Sequence, residues 1–190
     1  MKIEKFKKNY FFQLKNLINN FKTDNDFSLL IQKINNVKKK KGTIHLFGNG
    51  GSQATVAHFA NDMTKNAKIK SVVYTDSSLN SCFNNDYGFE NSLSKMAEYF
   101  VNYKTDLLII LSVSGNSQNL VNLVKFCNLK KINYISLTGS NKKNNINKLS
   151  KKNFIWVNSK AYNLVEITHH YFLLMAIDYF IGGTVYKIDK

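Results

Sequence analysis

The 190-residue chain has no arginine and no proline, only two cysteines and only 12 acidic side chains. Each shortage argues against a class of protein. Arginine makes most bidentate phosphate and guanine contacts, so its absence counts against a sequence-specific DNA reader. Cys82 and Cys127 stand far apart with no C-x-x-C pairing, which points to a reduced, cytoplasmic setting and not to a structural metal site. Met1 to Tyr10 is interrupted by lysine and lacks the continuous apolar segment of a secretory signal. No uninterrupted run approaches the roughly 20 apolar residues that span a bilayer. The expectation is a soluble, intracellular protein with no membrane partner.

Lysine is abundant instead. All 27 basic residues are lysine, and the formal net charge is +15. Such an excess can mark a nucleic-acid or membrane partner. Here it accompanies asparagine throughout the chain and reads as overall compositional bias, so nucleic acid is not the expected partner. With 44% hydrophobic residues and no break in composition, residues 1–190 read as one α/β domain with one core.

Ile3, Phe6, Tyr10, Leu14, Leu17, Ile18 and Phe21 recur at three- and four-residue steps. That spacing predicts a helix over 3–21 with one apolar stripe, read as an oligomer contact. A second helix is predicted over 26–39, with Asp26 as N-cap and Lys38 to Lys41 and Gly42 at its end. These two make an N-terminal unit over 1–41, ahead of a core over 42–190. Strands are predicted at 43–47, 70–74, 106–112, 132–137 and 153–157, and helices at 52–65, 89–102, 117–128, 142–149 and 163–181. This alternation implies a three-layer sandwich, a five-stranded parallel sheet with helices on both faces.

Two short turns follow apolar strands: Gly48-Asn49-Gly50-Gly51-Ser52 and Ser112-Val113-Ser114-Gly115-Asn116-Ser117. Both fall at strand C-terminal ends, where such sheets bind ligands. Each leads into a helix whose first N–H groups are unpaired and carry partial positive charge, so the expected ligand is an anion such as a phosphate. The first turn has neither the G-x-G-x-x-G spacing of dinucleotide binders nor the Gly-Lys-Ser/Thr ending of a P-loop, so no nucleotide cofactor is expected. The hydroxyls of Ser112, Ser114 and Ser117 would complete a phosphate cradle.

Five segments, in order and at matching spacing, carry a resemblance: Gly48 to Ser52, His58-Phe59-Ala60-Asn61-Asp62, Asn85-Asp86-Tyr87-Gly88-Phe89, Ser112 to Ser117 and Leu137-Thr138-Gly139. The chain resembles the sugar isomerase (SIS) domain family and, within it, the phosphoheptose isomerases, over nearly its whole length. The resemblance implies a flavodoxin-like fold, a homotetramer built through the N-terminal helices, and conversion of sedoheptulose 7-phosphate to a manno-heptose 7-phosphate for lipopolysaccharide, capsule or another surface glycan. Position by position, Ser52, Ser112, Ser114 and Ser117 resemble phosphate-binding hydroxyls, with Thr138 as an outlying member. Asn49 and Gly51 would lie beside the substrate. Asp86 resembles a residue of the sugar site, while its local sequence equally fits an Asx turn.

Aldose-ketose isomerisation needs a base to move a proton between adjacent carbons and a group to polarise the carbonyl. The resemblance implies a zinc ion for the second task, held by His and Glu on the helix after the first turn and by Gln and His on the last helix. This chain departs from that set. His58 is retained, Asp62 replaces Glu, Glu166 replaces Gln, and Leu174 stands in the second His position, while His169 matches a further family histidine. His170, four residues after Glu166, is a candidate substitute ligand. Asn163 replaces an Asp and cannot serve as a base. Zinc held by His58, Asp62 and Glu166 therefore stays open beside a metal-free route, in which Asp62 or Glu166 is the base and His58 handles the carbonyl-side proton. A binding protein without catalysis and an isomerase of another sugar phosphate are the competing readings.

Overall fold

The computed structural model describes residues 2–20 and 24–186. The elements run α1 (Ile3–Asn20), α2 (Asp24–Lys39), β1 (Ile44–Gly48), α3 (Gly51–Lys65), β2 (Ser71–Val73), α4 (Ser77–Tyr87), α5 (Phe89–Phe100), β3 (Leu107–Ser112), α6 (Gln118–Lys130), β4 (Asn133–Thr138), α7 (Asn145–Ser150), β5 (Phe154–Trp156) and α8 (Tyr162–Ile181). All strand pairings are parallel, in the order β2-β1-β3-β4-β5. The expected three-layer α/β sandwich behind two N-terminal helices is the observed one.

Period-two alternation along β3 explains why the sheet is covered on both sides. Leu107, Ile109 and Leu111 join Leu30, Ile34, Val56, Phe59 and Phe172 on one face. Leu108 and Ile110 turn to the other, against Met96, Leu120, Leu123, Val124 and Cys127. Burial pushes the Cys127 thiol up to about 12, so it stays a protonated apolar filler. α8 is by length and composition apolar enough to cross a membrane. Its buried Phe172, Leu173, Ala176 and Ile177 belong to the sheet core, however, so it is the central helix of the layer it shares with α2 and α3.

β1 and β3 are neighbours, yet α3 after β1 packs on one face of the sheet and α6 after β3 on the other. The two chain paths diverge at the C-terminal ends of these strands and open a crevice there, the topological switch point of an open α/β sheet. Both glycine/serine turns border it. At the opposite edge, the connections entering β1, β2, β4 and β5 each contain a lysine with positive φ: Lys41, Lys68, Lys131 and Lys151.

Three expectations need correction. Residues 77–87 form helix α4, where no helix was expected and an Asx turn was one of two readings of Asp86. α4 has no fully buried residue, so it lacks the strong apolar stripe that marks its neighbours. Its signals are weaker: Asp76 caps it by accepting from Leu79 N at 2.8 Å, and Leu79 and Phe83 lie one turn apart against the core. Asp26 lies inside α2 and is not its N-cap, because the helix already begins at Asp24. α7 starts at Asn145, capped by Asn144 accepting from Asn147 N at 2.9 Å, three residues later than predicted. The stripe on α1 is buried only toward its end: Leu17 packs with Val113, Leu164 and Val165, whereas Ile3 and Phe6 are exposed along with Phe11 and Phe12. Phe21, the last member of that stripe, lies outside the described residues.

Candidate functional site

The turn after β3 builds a small cradle out of its own backbone. Ser112 Oγ accepts from Gly115 N and Ser114 Oγ accepts from Asn116 N, both at 3.2 Å. With a lone pair committed inward, each hydroxyl keeps its proton to donate outward. Ser117 is the N-cap residue of α6 but makes no side-chain cap hydrogen bond, so its hydroxyl is also uncommitted. Gly115 has φ of +66°, and a methyl group there would overlap the Asn144 side chain, so the turn requires glycine on two counts.

The turn after β1 supplies the facing wall. Ser52, Asn49, the three cradle serines and Glu166 line one cavity of about 90 Å³, joined by Tyr162 at the start of α8. A Cβ on Gly51 would lie 2.5 Å from Glu166 Oε1. The carboxylate therefore rests on the bare Cα of the first residue of α3, at the positive end of that helix. Asn49 is held from across the crevice. Its amide and that of buried Asn119 exchange two hydrogen bonds of 3.0 Å, stapling the end of β1 to the first turn of α6.

About two turns further along α3 and one turn further along α8 lies a second group. His58 Nε2 is 3.2 Å from Asp62 Oδ2, and His58 Nδ1 is 3.0 Å from His170 Nε2. A proton on His58 Nε2, shared with Asp62, leaves Nδ1 to accept from His170. Burial, and then the adjacent His58 ring, lower the His170 pKa and favour its neutral form. Glu166 and His170 sit one helical turn apart on α8, so the group extends toward the cradle.

Two expected site residues are placed elsewhere. Thr138 is fully buried and donates its hydroxyl to Asn147 Oδ1 at 2.7 Å, which removes it from the cradle. Asp86 lies on the exposed side of α4, with Oδ1 accepting from Asn85 Nδ2, and it lines neither crevice cavity of this chain. Tyr162 and Asn119 were not anticipated. Asn119 could have been found as an amide in the turn following the cradle serines, whereas nothing in the local sequence marks Tyr162.

The sequence profile of the SIS domain matches residues 9–139. The chain belongs to the SIS domain family. Within it the branch is that of the phosphoheptose isomerases. The chain is 32% identical to a phosphoheptose isomerase of Histophilus somni over 137 residues, 67% of this chain and 70% of that one. It is 36% identical to one of Cytophaga hutchinsonii over 131 residues, 66% and 68% of the two chains. A phosphoheptose isomerase from Neisseria gonorrhoeae superposes with a TM-score of 0.83 at 24% identity, covering 94% of this chain and 98% of that one, a likeness of fold.

Against this SIS background the zinc set is incomplete. Leu174 packs half-buried against the sheet core and offers no donor. Both ring nitrogens of His58 are engaged, one by Asp62 and one by His170. Among the described residues no three His, Cys, Asp or Glu side chains are arranged to hold a metal ion. The residues as placed do not fit the four-ligand zinc site that the resemblance implies. His169, next to His170, faces inward: Nε2 reaches the Thr138 carbonyl at 3.3 Å, Nδ1 has no partner among the described residues, and burial pushes its pKa down to about 4.

Proposed function

We propose that this SIS protein is a cytoplasmic aldose-ketose isomerase of the phosphoheptose type, converting sedoheptulose 7-phosphate to D-glycero-D-manno-heptose 7-phosphate. The observation that carries the reading is one cavity with three outward-donating serine hydroxyls and a carboxylate on its wall. The serines and the first turn of α6 bind the phosphate dianion without a positive side chain, as helix N-termini do. Glu166 is the base. It takes the proton from C1 of the ketose, an enediolate forms, and the same proton is returned at C2.

The accompanying proton moves from the C1 hydroxyl to the C2 oxygen, and the His170–His58–Asp62 chain is placed to carry it. In this reading proton transfer rests on side chains alone, because the ligand set is short of donors. The exposed Ile3, Phe6, Phe11 and Phe12 on α1 support a homo-oligomer, with a tetramer as the proposed state. The product would feed heptose into a surface glycan.

Conversion of sedoheptulose 7-phosphate by purified protein, with metal analysis and with chelator or added Zn²⁺, tests this directly. Turnover that survives chelation supports the reading. Zinc-dependent turnover would move the polarising step to a metal, and phosphosugar binding without turnover would favour the non-catalytic alternative, which Leu174 supports.

A further inference from the structure

Every connection that enters a strand of an all-parallel sheet arrives at the same edge. Here that edge lies opposite the cradle cavity and the neighbouring cavity of about 430 Å³ that Asn49 also lines. Composition presents lysine as a bias of the whole chain, but the topology gathers it. Lys38 to Lys41 lead into β1, two lysines each into β2 and β4, and Lys104 into β3; these are nine of the 27 in the chain, and all nine residues are exposed. The connections leaving the same four strands hold two, Lys142 and Lys143. The entries also touch one another: Lys40 Nζ donates to the Lys104 carbonyl at 3.0 Å, which joins the approaches to β1 and β3.

Helix ends account for part of this charge. Helices α2, α3, α5 and α6 end in these connections, and α8 ends beside them, where the Phe180 ring centre lies 5.9 Å from Lys38 Nζ. Each presents about half a negative charge from its unpaired carbonyls. Asp106, buried and held by His45, and Asp178 in α8 add two carboxylates, while Glu98 is taken by Lys95 at 2.8 Å. Roughly half of the nine ammonium charges are left over. With neighbouring strands about 4.8 Å apart, β2, β1, β3 and β4 set them along a row of about 14 Å. A row of charge matches a linear polyanion better than a flat one. The nucleic-acid backbone is such a polyanion, with one charge per about 1.7 Å of duplex, and it releases counterions when lysines replace them. Lysine meets phosphate as a point charge and, without arginine beside it, makes no bidentate reading of base edges.

We propose that this strand-entry edge binds the phosphate backbone of nucleic acid without sequence preference, at the end of the molecule away from the cradle. The proposal does not depend on the reading of the cradle. It departs from the expectation drawn from composition because composition carries no information on which lysines meet in space.

The test is fluorescence anisotropy of the full chain with two DNA duplexes of about 20 base pairs and unrelated sequence, in salt from about 50 to about 200 mM. One variant combines Lys39→Gln, Lys70→Gln, Lys104→Gln and Lys130→Gln, one position from each connection and none with a positive φ. A second combines Lys5→Gln, Lys15→Gln, Lys143→Gln and Lys160→Gln, away from the edge, so that both variants carry the same net charge. The unmodified chain should bind both duplexes alike. The edge variant should bind about tenfold more weakly or worse, with a log–log salt slope smaller by about 3–4, while the second variant changes by less than about threefold. Equal weakening in the two variants assigns binding to net charge and overturns the proposal, as does unmodified protein that binds neither duplex at the lowest salt. Binding through the edge to vesicles of anionic phospholipid, with no binding to DNA, puts a membrane in place of the nucleic acid and overturns it as well.

Discussion

The serine cradle and the histidine-carboxylate group lie a few residues apart in space but are built in opposite ways. The cradle serines come from six consecutive residues, Ser112 to Ser117, and two of them are positioned by accepting from backbone N–H groups of the same turn. The second group draws on α3 and α8, more than 100 residues apart, and holds together only while those helices keep their packing. A site written into one turn needs only that turn to keep its shape, whereas one shared between helices depends on how those helices pack.

The most direct way to sharpen that contrast is Glu166→Gln, which keeps the shape and removes the base. Turnover should fall by about 10²- to 10⁴-fold while calorimetry shows phosphosugar still bound. Next comes Gly51→Ala. The new methyl group meets the Glu166 carboxylate, and displacing a catalytic group by about 1 Å can cost about 10²-fold in kcat, with circular dichroism expected to show an intact fold.

The pH dependence of stability tests the packing that holds α8. Buried His169 has a folded pKa of about 4, below the ordinary 6.5. The unfolded chain therefore takes up the proton first as pH falls, and stability present above pH 6.5 is lost progressively down to about pH 4. The loss should approach about 3 kcal/mol in denaturant titrations. His45, buried against Asp106 and likewise lowered by burial, titrates in the same direction, so His169→Gln should flatten part of the slope and not all of it. The smallest effects belong to the cradle, where binding is shared among several donors. Ser114→Ala and Ser117→Ala should each weaken phosphate affinity by about 1–3 kcal/mol, and no change in either would break the comparison at its simpler end.

The same contrast governs what could be read in the sequence. The strands, the two turns and the cradle serines were legible because buried parallel strands are continuous apolar runs and the turn residues are contiguous. Asp86 and Thr138 were misjudged because their roles depend on which way a side chain points: Thr138 turns inward to Asn147, and Asp86 falls on the outer side of a helix too polar to announce itself. Asn49 was recognised but its pairing with Asn119 was not: the position of Asn119 after the serines marks it as a candidate, yet no local pattern reveals a contact across 70 residues. That leucine stands at Leu174, where the resemblance implies a metal-binding histidine, was visible in the sequence, whereas the engagement of both His58 nitrogens required coordinates.

The positive-φ lysines before four of the strands extend this division of labour to the whole molecule. Left-handed backbone costs roughly 1–2 kcal/mol for a residue with a side chain. Lys131 bears it, and Lys41, Lys68 and Lys151 share its positive φ, all at the edge of the sheet opposite the cavities. The backbone strain is thus carried at the end of the sheet away from both cavities, so changes at these four positions should alter heat tolerance without touching a residue that lines either cavity.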